Sequence, residues 1–278
     1  MKLLISSTWA ALAMVVAQGE PATAEPHAPI SWKLDQTATH DGLNSPVGMA
    51  YDAGGALYVA NWSAGNVVRF SPKGTGTVFA SGLSGPSGLA ISAKGDVYVA
   101  SYDEDLVWRF TPAGDKTVFV SGLATPAGLS FDARGRLLIA NRRTNQILAA
   151  HPDGKLEVVA EGLQTPVGAV ELPDGDLLVS NIAGGISLVS GKARDKPRQA
   201  KTINSDLGRP GPGIVAADAD AAYVVDYGGT TVSRVERRGG RTVIVTGLHS
   251  PVGLARAPDG SLMVTTWGAN AAFRIRRP

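Results

Sequence analysis

A short motif, proline, any residue, glycine, returns at an almost constant interval along this chain. Its glycines are separated by 40, 40, 40, 45 and 40 residues. The aligned positions are Gly48, Gly88, Gly128, Gly168, Gly213 and Gly253. A repeat of this length in six copies restricts the fold to architectures that stack one supersecondary unit many times.

Each copy contains four short apolar runs separated by turn residues. A run that starts with the motif, as at 86–90, is followed by an Asp/Gly turn, as at 132–135, and by a second run such as V-Y-V-A at 97–100. A third run carries V-x-R-F or a related sequence, and a fourth resembles T-V-F-A-S-G-L at 77–83. The runs are apolar on both faces and lack a 3.6-residue period, which excludes a helical solenoid. The sequence predicts an all-β, six-bladed β-propeller with four-stranded antiparallel blades.

The two ends of the chain complement each other. The last copy stops after its third strand, at 271–278, and residues 32–43 have the pattern of a lone fourth strand. We expect an N-terminal outer strand to complete the C-terminal blade, which protects an exposed strand edge. The propeller would then span 41–278, after an N-terminal segment at 25–40 that carries the closing strand.

One stretch departs from the repeat. Residues 190–212 are basic, rich in proline and glycine, and five residues longer than their counterparts. We expect a long, mobile basic loop over one face.

The first 24 residues have the pattern of a signal peptide. Lys2 precedes an apolar run at 3–17, and Ala22-Thr23-Ala24 follows as a cleavage pattern. The run is shorter than the roughly 20 residues that span a bilayer. We predict cleavage after Ala24, export to the periplasm or the medium, and no membrane association afterwards; a retained anchor is the alternative.

Composition limits the classes of partner. The chain is 44% hydrophobic and 18% charged, as expected of a folded protein with a large core. Its 26 basic and 24 acidic residues are interspersed, without the basic stripe that nucleic acid requires. It has no cysteine, which excludes disulfides, thiolate metal sites and a cysteine nucleophile. We expect a monomer that binds a small molecule or a protein, and no nucleic acid.

The repeat texture, as in P-S-G-L-A-I-S-A-K-G-D-V-Y-V-A at 86–100, resembles NHL-type repeats. From about residue 41 to 278 the chain also resembles the six-bladed propellers of the SMP-30/gluconolactonase and virginiamycin B lyase-like groups. The resemblance implies the propeller fold. It leaves activity open, because such propellers include lactone hydrolases, lyases, ligand sensors and protein-binding platforms.

Resemblance to the gluconolactonase-like group implies a divalent cation in the central channel, held by Asn and Asp at the middle of the P-x-G motif and by a Glu near the first copy. Asn44-Ser45 stands where that Glu would be expected. The middle positions are Val47, Ser87, Ala127, Val167 and Val252, with Gly211 or Pro212 in the fifth copy. Aliphatic carbon cannot replace the oxygen ligands of a hard cation. The cofactor is therefore unknown; calcium or magnesium stays an alternative, without the ligand set of that group.

Resemblance to the lyase-like group implies Trp-Phe-Thr-Glu at the end of the second strand. This chain has no Glu there. The strand-ending residues are Asn61, Ser101, Asn141, Asn181, Asp226 and Thr266. The metal and histidine machinery of the lyases cannot be carried over, and we expect most of these side chains to form turns.

The residues directly after these positions should surround one mouth of the propeller, which we call the top face. In a closed ring, Tyr227, Trp267, Trp62 and Tyr102 come from neighbouring copies and should form an aromatic arc. Arg142, Arg143 and Arg209 should face this arc. Aromatic faces offer stacking area and guanidinium groups bind planar anions, so we predict a pocket for a flat or sugar-like molecule with a carboxylate or phosphate. The alternative is that the aromatic residues pack between blades.

Two further sets of residues could carry chemistry on the top face. Asp226 and His249 lie on neighbouring loops and could act as base and orienting acid in hydrolysis or elimination. Asp103 and Asp105 could bind calcium together with loop carbonyls. In both cases, solvated and uncoupled side chains are the alternative.

Three functions follow. The leading one is an exported propeller that binds a small organic ligand or a protein partner on its top face. The competing one is a hydrolase or lyase that acts on a lactone or cyclic ester through Asp226 and His249, with or without a divalent cation. The third is an interaction module that uses the loop tips and has a plugged central pocket.

Overall fold

The computed structural model describes residues 32–192 and 197–277. By internal contacts the chain divides into two units, Met1–Ile30 and Ser31–Pro278, and the described residues belong to the second. The predicted signal peptide lies outside them, so cleavage and export stay predictions. Across the described ranges, no helix has the length and apolar character needed to cross a bilayer.

The described residues form 24 strands and one short 3-10 helix at Arg142–Thr144. Counted from the channel outwards, the strands fall into four positional classes. The inner strands are β2 (Pro46–Tyr51), β6 (Pro86–Ile91), β10 (Pro126–Phe131), β14 (Pro166–Glu171), β18 (Pro210–Asp218) and β22 (Pro251–Arg256). The second strands are β3 (Leu57–Asn61), β7 (Val97–Ser101), β11 (Leu137–Asn141), β15 (Leu177–Asn181), β19 (Ala221–Asp226) and β23 (Leu262–Thr266). The third strands are β4 (Asn66–Phe70), β8 (Leu106–Phe110), β12 (Gln146–Ala150), β16 (Gly185–Val189), β20 (Val232–Glu236) and β24 (Ala271–Arg276). The outer strands are β5 (Gly76–Ala80), β9 (Lys116–Val120), β13 (Leu156–Glu161), β17 (Arg198–Asn204), β21 (Arg241–Val245) and β1 (Lys33–Leu34).

These strands form five hydrogen-bonded sheets among the described residues. Four sheets have four antiparallel strands each. The fifth has eight, in the order β10-β11-β12-β13-β17-β16-β15-β14, because β13 and β17 pair in parallel over two residues. The repeated four-stranded antiparallel blade and its propeller arrangement are thus confirmed, whereas the number of blades depends on how the eight-stranded sheet is counted.

The inner strands surround the central channel. Each contacts the inner strand of the next repeat, and β22 contacts β2. The motif glycines allow this approach: a Cβ added to Gly48 would lie 2.6 Å from the backbone nitrogen of Leu89, and one added to Gly168 would lie 2.5 Å from the carbonyl oxygen of Pro212. The glycine recurs because the next strand occupies the space of a side chain.

The N-terminal strand closes the last sheet as the sequence predicts. Lys33 pairs with Arg276 and Leu34 with Ile275, so β1 lies outside β24. Trp32 packs beside this pairing, with its ring centroid 5.3 Å from that of Tyr223. The strand is shorter than the 32–43 segment that the pattern indicates.

The core lies between adjacent sheets. At the junction of the first and last repeats, Met49 and Val59 pack with Ala255 and Met263 in one buried cluster. Apolar residues on both faces of the second strands are explained by such contacts on each side.

The prediction of a loop throughout 190–212 is wrong. Residues 198–204 form the outer strand β17, and β18 begins at Pro210. The exposed positions of β17 are polar or basic because an outer strand borders solvent. The composition of this stretch alone therefore predicts a loop where the structure has an exposed strand.

Arginines that recur on the third strands pair with aspartates of their own sheets. Arg109 lies 2.7 Å from Asp96, Arg234 lies 2.8 Å from Asp218, and Arg274 lies 2.7 Å from Asp259. Each aspartate sits at or beside the turn between the inner and second strands, on the face opposite the top face. We call this the lower face.

Candidate functional site

One backbone hydrogen bond positions the mouth residues in every repeat. The residue after each second strand donates its N–H to the carbonyl of the residue directly before the inner strand. Trp62 donates to Ser45 at 3.0 Å, and Trp267 donates to Ser250 at 3.0 Å. The same bond joins Tyr102 to Gly85, Arg142 to Thr125, Ile182 to Thr165 and Tyr227 to Arg209. A common backbone geometry therefore directs six different side chains to the top face.

These side chains surround a cavity of about 390 Å³. Its wall consists of Trp62, Tyr102, Arg142, Ile182, Arg209, Tyr227 and Trp267. Its floor consists of the middle residues of the motif, Val47, Ser87, Ala127, Val167, Pro212 and Val252. The structure thus gathers the predicted aromatic residues and two of the three predicted arginines around one space.

The aromatic part of the wall consists of two edge-to-face pairs. The ring centroids of Trp62 and Tyr102 are 4.9 Å apart, and those of Tyr227 and Trp267 are 5.3 Å apart. The indole nitrogen of Trp267 donates to the carbonyl of Pro46 at 3.1 Å, which fixes this ring. All four side chains are half-buried and present apolar surface to the cavity.

The cationic part of the wall contains Arg142 and Arg209. The guanidinium of Arg142 donates to the Tyr102 hydroxyl and lies 5.7 Å from the centroid of that ring. Arg209 is exposed at the rim. Among the described residues, neither guanidinium pairs with a carboxylate, so both retain donors for an anion.

Arg143 lies outside the cavity lining. Its side chain is exposed, and its backbone N–H donates to Ala124 at 3.1 Å. It belongs to the 3-10 helix at 142–144, whose tight turn directs neighbouring side chains apart. Ile182 lines the wall instead, a position that the sequence placed at the mouth but did not assign to binding.

The floor does not fit the divalent cation implied by the resemblance. Ser87 is its only side chain with an oxygen atom, and this hydroxyl donates to the carbonyl of Pro126 at 2.9 Å. In the described ranges, no three histidine, aspartate or glutamate side chains lie close enough together to hold a metal ion. The floor therefore suits contact with an apolar group and not the oxygen ligation of a hard cation.

Strand-ending asparagines are structural. Asn181 is fully buried, and its Oδ1 accepts the N–H of Gln164 at 3.1 Å. Asn61 and Asn141 accept the equivalent backbone N–H groups at 3.2 and 2.7 Å. Each ties the segment that enters the inner strand to the end of the second strand. The side chains thus bind backbone as predicted, but across 17 residues and not within a local turn.

Asp226 occupies the equivalent position in the fifth repeat and makes a similar bond. Its Oδ1 accepts the backbone N–H of Arg209 at 3.2 Å. His249 is exposed on the next top-face loop, and no hydrogen bond or ion pair joins it to Asp226 among the described residues. The structure thus leaves the two side chains uncoupled.

The two acidic candidates of the second repeat, Asp103 and Asp105, also make separate contacts. Asp105 Oδ1 accepts the backbone N–H of Thr125 at 2.6 Å, which links this repeat to the next. Asn145 and Asn270 make the same link to Thr165 and Ser45. The carboxylate of Asp103 lies beside Gly85, as does the indole of Trp62. Asp105 therefore connects two adjacent repeats through a hydrogen bond.

No protein-family model matches the chain, and no curated protein sequence matches it. Solved structures do. A putative gluconolactonase superposes with a TM-score of 0.76 at 17% identity, over 90% of this chain and 93% of its own. A gluconolactonase from Xanthomonas campestris gives 0.76 at 18% identity, over 87% and 89%. Virginiamycin B lyase from Staphylococcus aureus gives 0.66 at 20% identity, over 89% and 88%. The chain therefore shares the propeller fold of these gluconolactonase and virginiamycin B lyase structures.

Proposed function

We propose that the top-face cavity is the functional site and that it holds a small ring-bearing organic molecule with an anionic group. The observation that carries this proposal is the combination of two aromatic pairs, two arginines without carboxylate partners among the described residues, and an apolar floor around one space. A ring can stack on the aromatic surfaces while its anionic group binds a guanidinium.

Stacking and cation-π contacts with the wall would supply part of the binding free energy. Each stacking or cation-π contact contributes roughly 0.5–2 kcal/mol. Three or four such contacts sum to about 1.5–8 kcal/mol, whereas micromolar binding corresponds to about 8 kcal/mol after the cost of association. Burial of the apolar surface of the ring against the floor and wall must supply the remainder.

The names of the structural neighbours favour turnover over binding alone. They include gluconolactonases and a virginiamycin B lyase. We therefore propose a lactone or related cyclic ester as the occupant, opened by hydrolysis or elimination. Asp226 and His249 are the candidate acid–base pair. Neither side chain lines the cavity: Asp226 directly precedes Tyr227 of the wall, and His249 lies on the next top-face loop. Their uncoupled geometry means that the substrate would have to bring them into use, because catalytic hydrogen bonds often tighten only in the complex. A protein partner on the same face is the remaining alternative.

Thermal-shift measurements test the site. We expect lactones, sugar acids or aromatic carboxylates to raise the melting temperature, since a ligand that binds only the native state stabilises it. Trp62→Ala and Arg142→Gln should reduce that shift. Arg143→Gln is the matched control because this neighbouring arginine lies outside the cavity. Equal shifts in the Arg142 and Arg143 variants would overturn the assignment to this cavity.

Turnover separates the enzyme from the binding protein. Lactone opening that is lost in Asp226→Asn or His249→Ala, while ligand stabilisation persists, supports catalysis. Stabilisation without turnover supports a binding role, and no response to any small molecule favours a protein partner.

We also infer that the eight-stranded sheet counts as two blades, which makes six. Its halves repeat the inner-to-outer order of the four-stranded sheets and meet only at the pairs Ala160–Arg198 and Glu161–Gln199.

A further inference from the structure

A second pocket lies on the lower face, between the sheet β6–β9 and the strands β10–β12 of the next repeat. Its volume is about 490 Å³, and it shares no lining residue with the top-face cavity. The residues that decide its chemistry are Tyr98, Phe119, Phe131, Arg109, Asp96 and Lys94.

Aromatic side chains from both repeats form its wall. The Tyr98 ring makes edge-to-face contacts with Phe119 and Phe131, at centroid distances of 4.8 and 5.5 Å. Tyr98 is only 7% exposed, whereas Phe119 and Phe131 are half-buried. The pocket therefore offers partly open aromatic surface over a fixed phenol.

The hydroxyl of Tyr98 has no hydrogen-bond partner among the described residues. It is accessible, and its side chain lines the pocket. Tyr58 occupies the same register position one repeat earlier, and its hydroxyl accepts a hydrogen bond from Arg69 Nε at 3.0 Å. A largely buried side chain that keeps an accessible polar atom is suited to a ligand, because a ligand acceptor can replace water on that atom.

An ion pair explains why the two tyrosines differ. Arg109 donates from both Nε and one terminal nitrogen to Asp96, at 3.2 and 2.7 Å. In the earlier repeat, Arg69 lies 3.7 Å from Asp52 and uses its Nε for the tyrosine. Arg109 thus directs to Asp96 the Nε that Arg69 directs to Tyr58.

Both carboxylates that line the pocket are paired with an arginine. Asp96 pairs with Arg109, and Asp132 pairs with Arg136 at 2.8 Å. Lys94 is exposed at the rim, where its ammonium stays hydrated. Burial raises the pKa of Tyr98, so its phenol stays protonated and can donate. The carboxylates of the interior are already paired and the ammonium of Lys94 lies at the rim, so a charged group next to Tyr98 would lose hydration without a free counter-charge beside it, which favours a neutral ligand.

We propose that this pocket binds a small uncharged aromatic molecule with one carbonyl oxygen. The carbonyl accepts the Tyr98 O–H while the ring packs against Phe119 and Phe131. This site is independent of the function proposed for the top face.

Fluorine NMR titration with para-fluoroacetophenone tests the proposal on the whole protein. We expect saturable binding to the wild type and a 3- to 10-fold weaker affinity in Tyr98→Phe, roughly the value of one neutral hydrogen bond. Tyr58→Phe is the matched control and should bind as the wild type does. Trp62→Ala, which alters only the top-face cavity, should also leave the affinity unchanged.

An acceptor-free analogue, para-fluoroethylbenzene, gives a second measurement that needs no variant. It should bind the wild type more weakly than the ketone and should not distinguish Tyr98→Phe from the wild type. The proposal fails if the ketone does not bind, if Tyr98→Phe binds it equally well, or if Trp62→Ala abolishes binding.

Discussion

At the scale of single residues, the glycine of the P-x-G motif is the position whose identity has the clearest cause. Neighbouring inner strands approach so closely that the backbone of one fills the space of a side chain on the other. The contact is with backbone atoms, so rotation of a side chain cannot relieve it. The same approach produces the narrow floor of the top-face cavity.

Gly48→Ala should therefore lower the free energy of unfolding by about 1–3 kcal/mol, the usual cost of overpacking. Urea denaturation measures the change. Gly208→Ala is the control, since a Cβ there meets no atom within 4 Å. Equal stability of the two variants would show that the inner strands can move apart at no cost.

At the scale of elements, the end of each second strand holds the segment that leads into the inner strand. Asn61, Asn141 and Asn181 do this through buried amides. In the last repeat the position is Thr266, which is fully buried and whose hydroxyl has no partner among the described residues. The repeats thus share a backbone but not every polar contact.

Asn181→Ala should lower the free energy of unfolding by about 1–3 kcal/mol, because the N–H of Gln164 and the buried oxygens of Gly185 and Ser187 lose their partner. Thr266→Val, at the equivalent position, should be neutral or slightly stabilising, since it removes an unpartnered hydroxyl and keeps the shape. Chemical denaturation of both variants checks the difference. A destabilised Thr266→Val protein would mean that this hydroxyl has a partner after all.

At the scale of the whole molecule, the segment that contains β1 joins the two ends of the chain. His40 lies in this segment, where its backbone bridges to Ala272 and its ring stacks on Phe70 at 3.9 Å between centroids. Burial and, to a smaller extent, Arg274 lower the pKa of His40, while Asp41 opposes them. We therefore expect the stability of the closed propeller to depend on pH through His40.

The sign follows from the lowered pKa. The unfolded chain protonates this histidine near its ordinary pKa of about 6.5, whereas the folded protein resists protonation to lower pH. Its contribution to stability is complete above that value and declines as the pH falls towards the folded-state pKa. Unfolding free energies measured from about pH 8 to pH 5 should show this decline in the wild type and less of it in His40→Phe. Equal slopes would contradict the coupling.

Much of the architecture follows from the sequence alone. The forty-residue interval, the alternating turns and the incomplete last copy determine the blade, the order of its strands and the closing β1, because they specify local backbone geometry and periodic burial. They also determine which side chains reach the top mouth, since one repeated hydrogen bond places them.

Tertiary structure decided how polar groups are used. Asp226 and Asp105 accept backbone N–H groups, Arg142 lines the cavity and Arg143 does not, and residues 198–204 form a strand. Tyr58 and Tyr98 share a register position, yet among the described residues an arginine donates a hydrogen bond only to the hydroxyl of Tyr58. The physical reason is that such pairings depend on distances between side chains from different strands and loops, which a repeat interval does not specify.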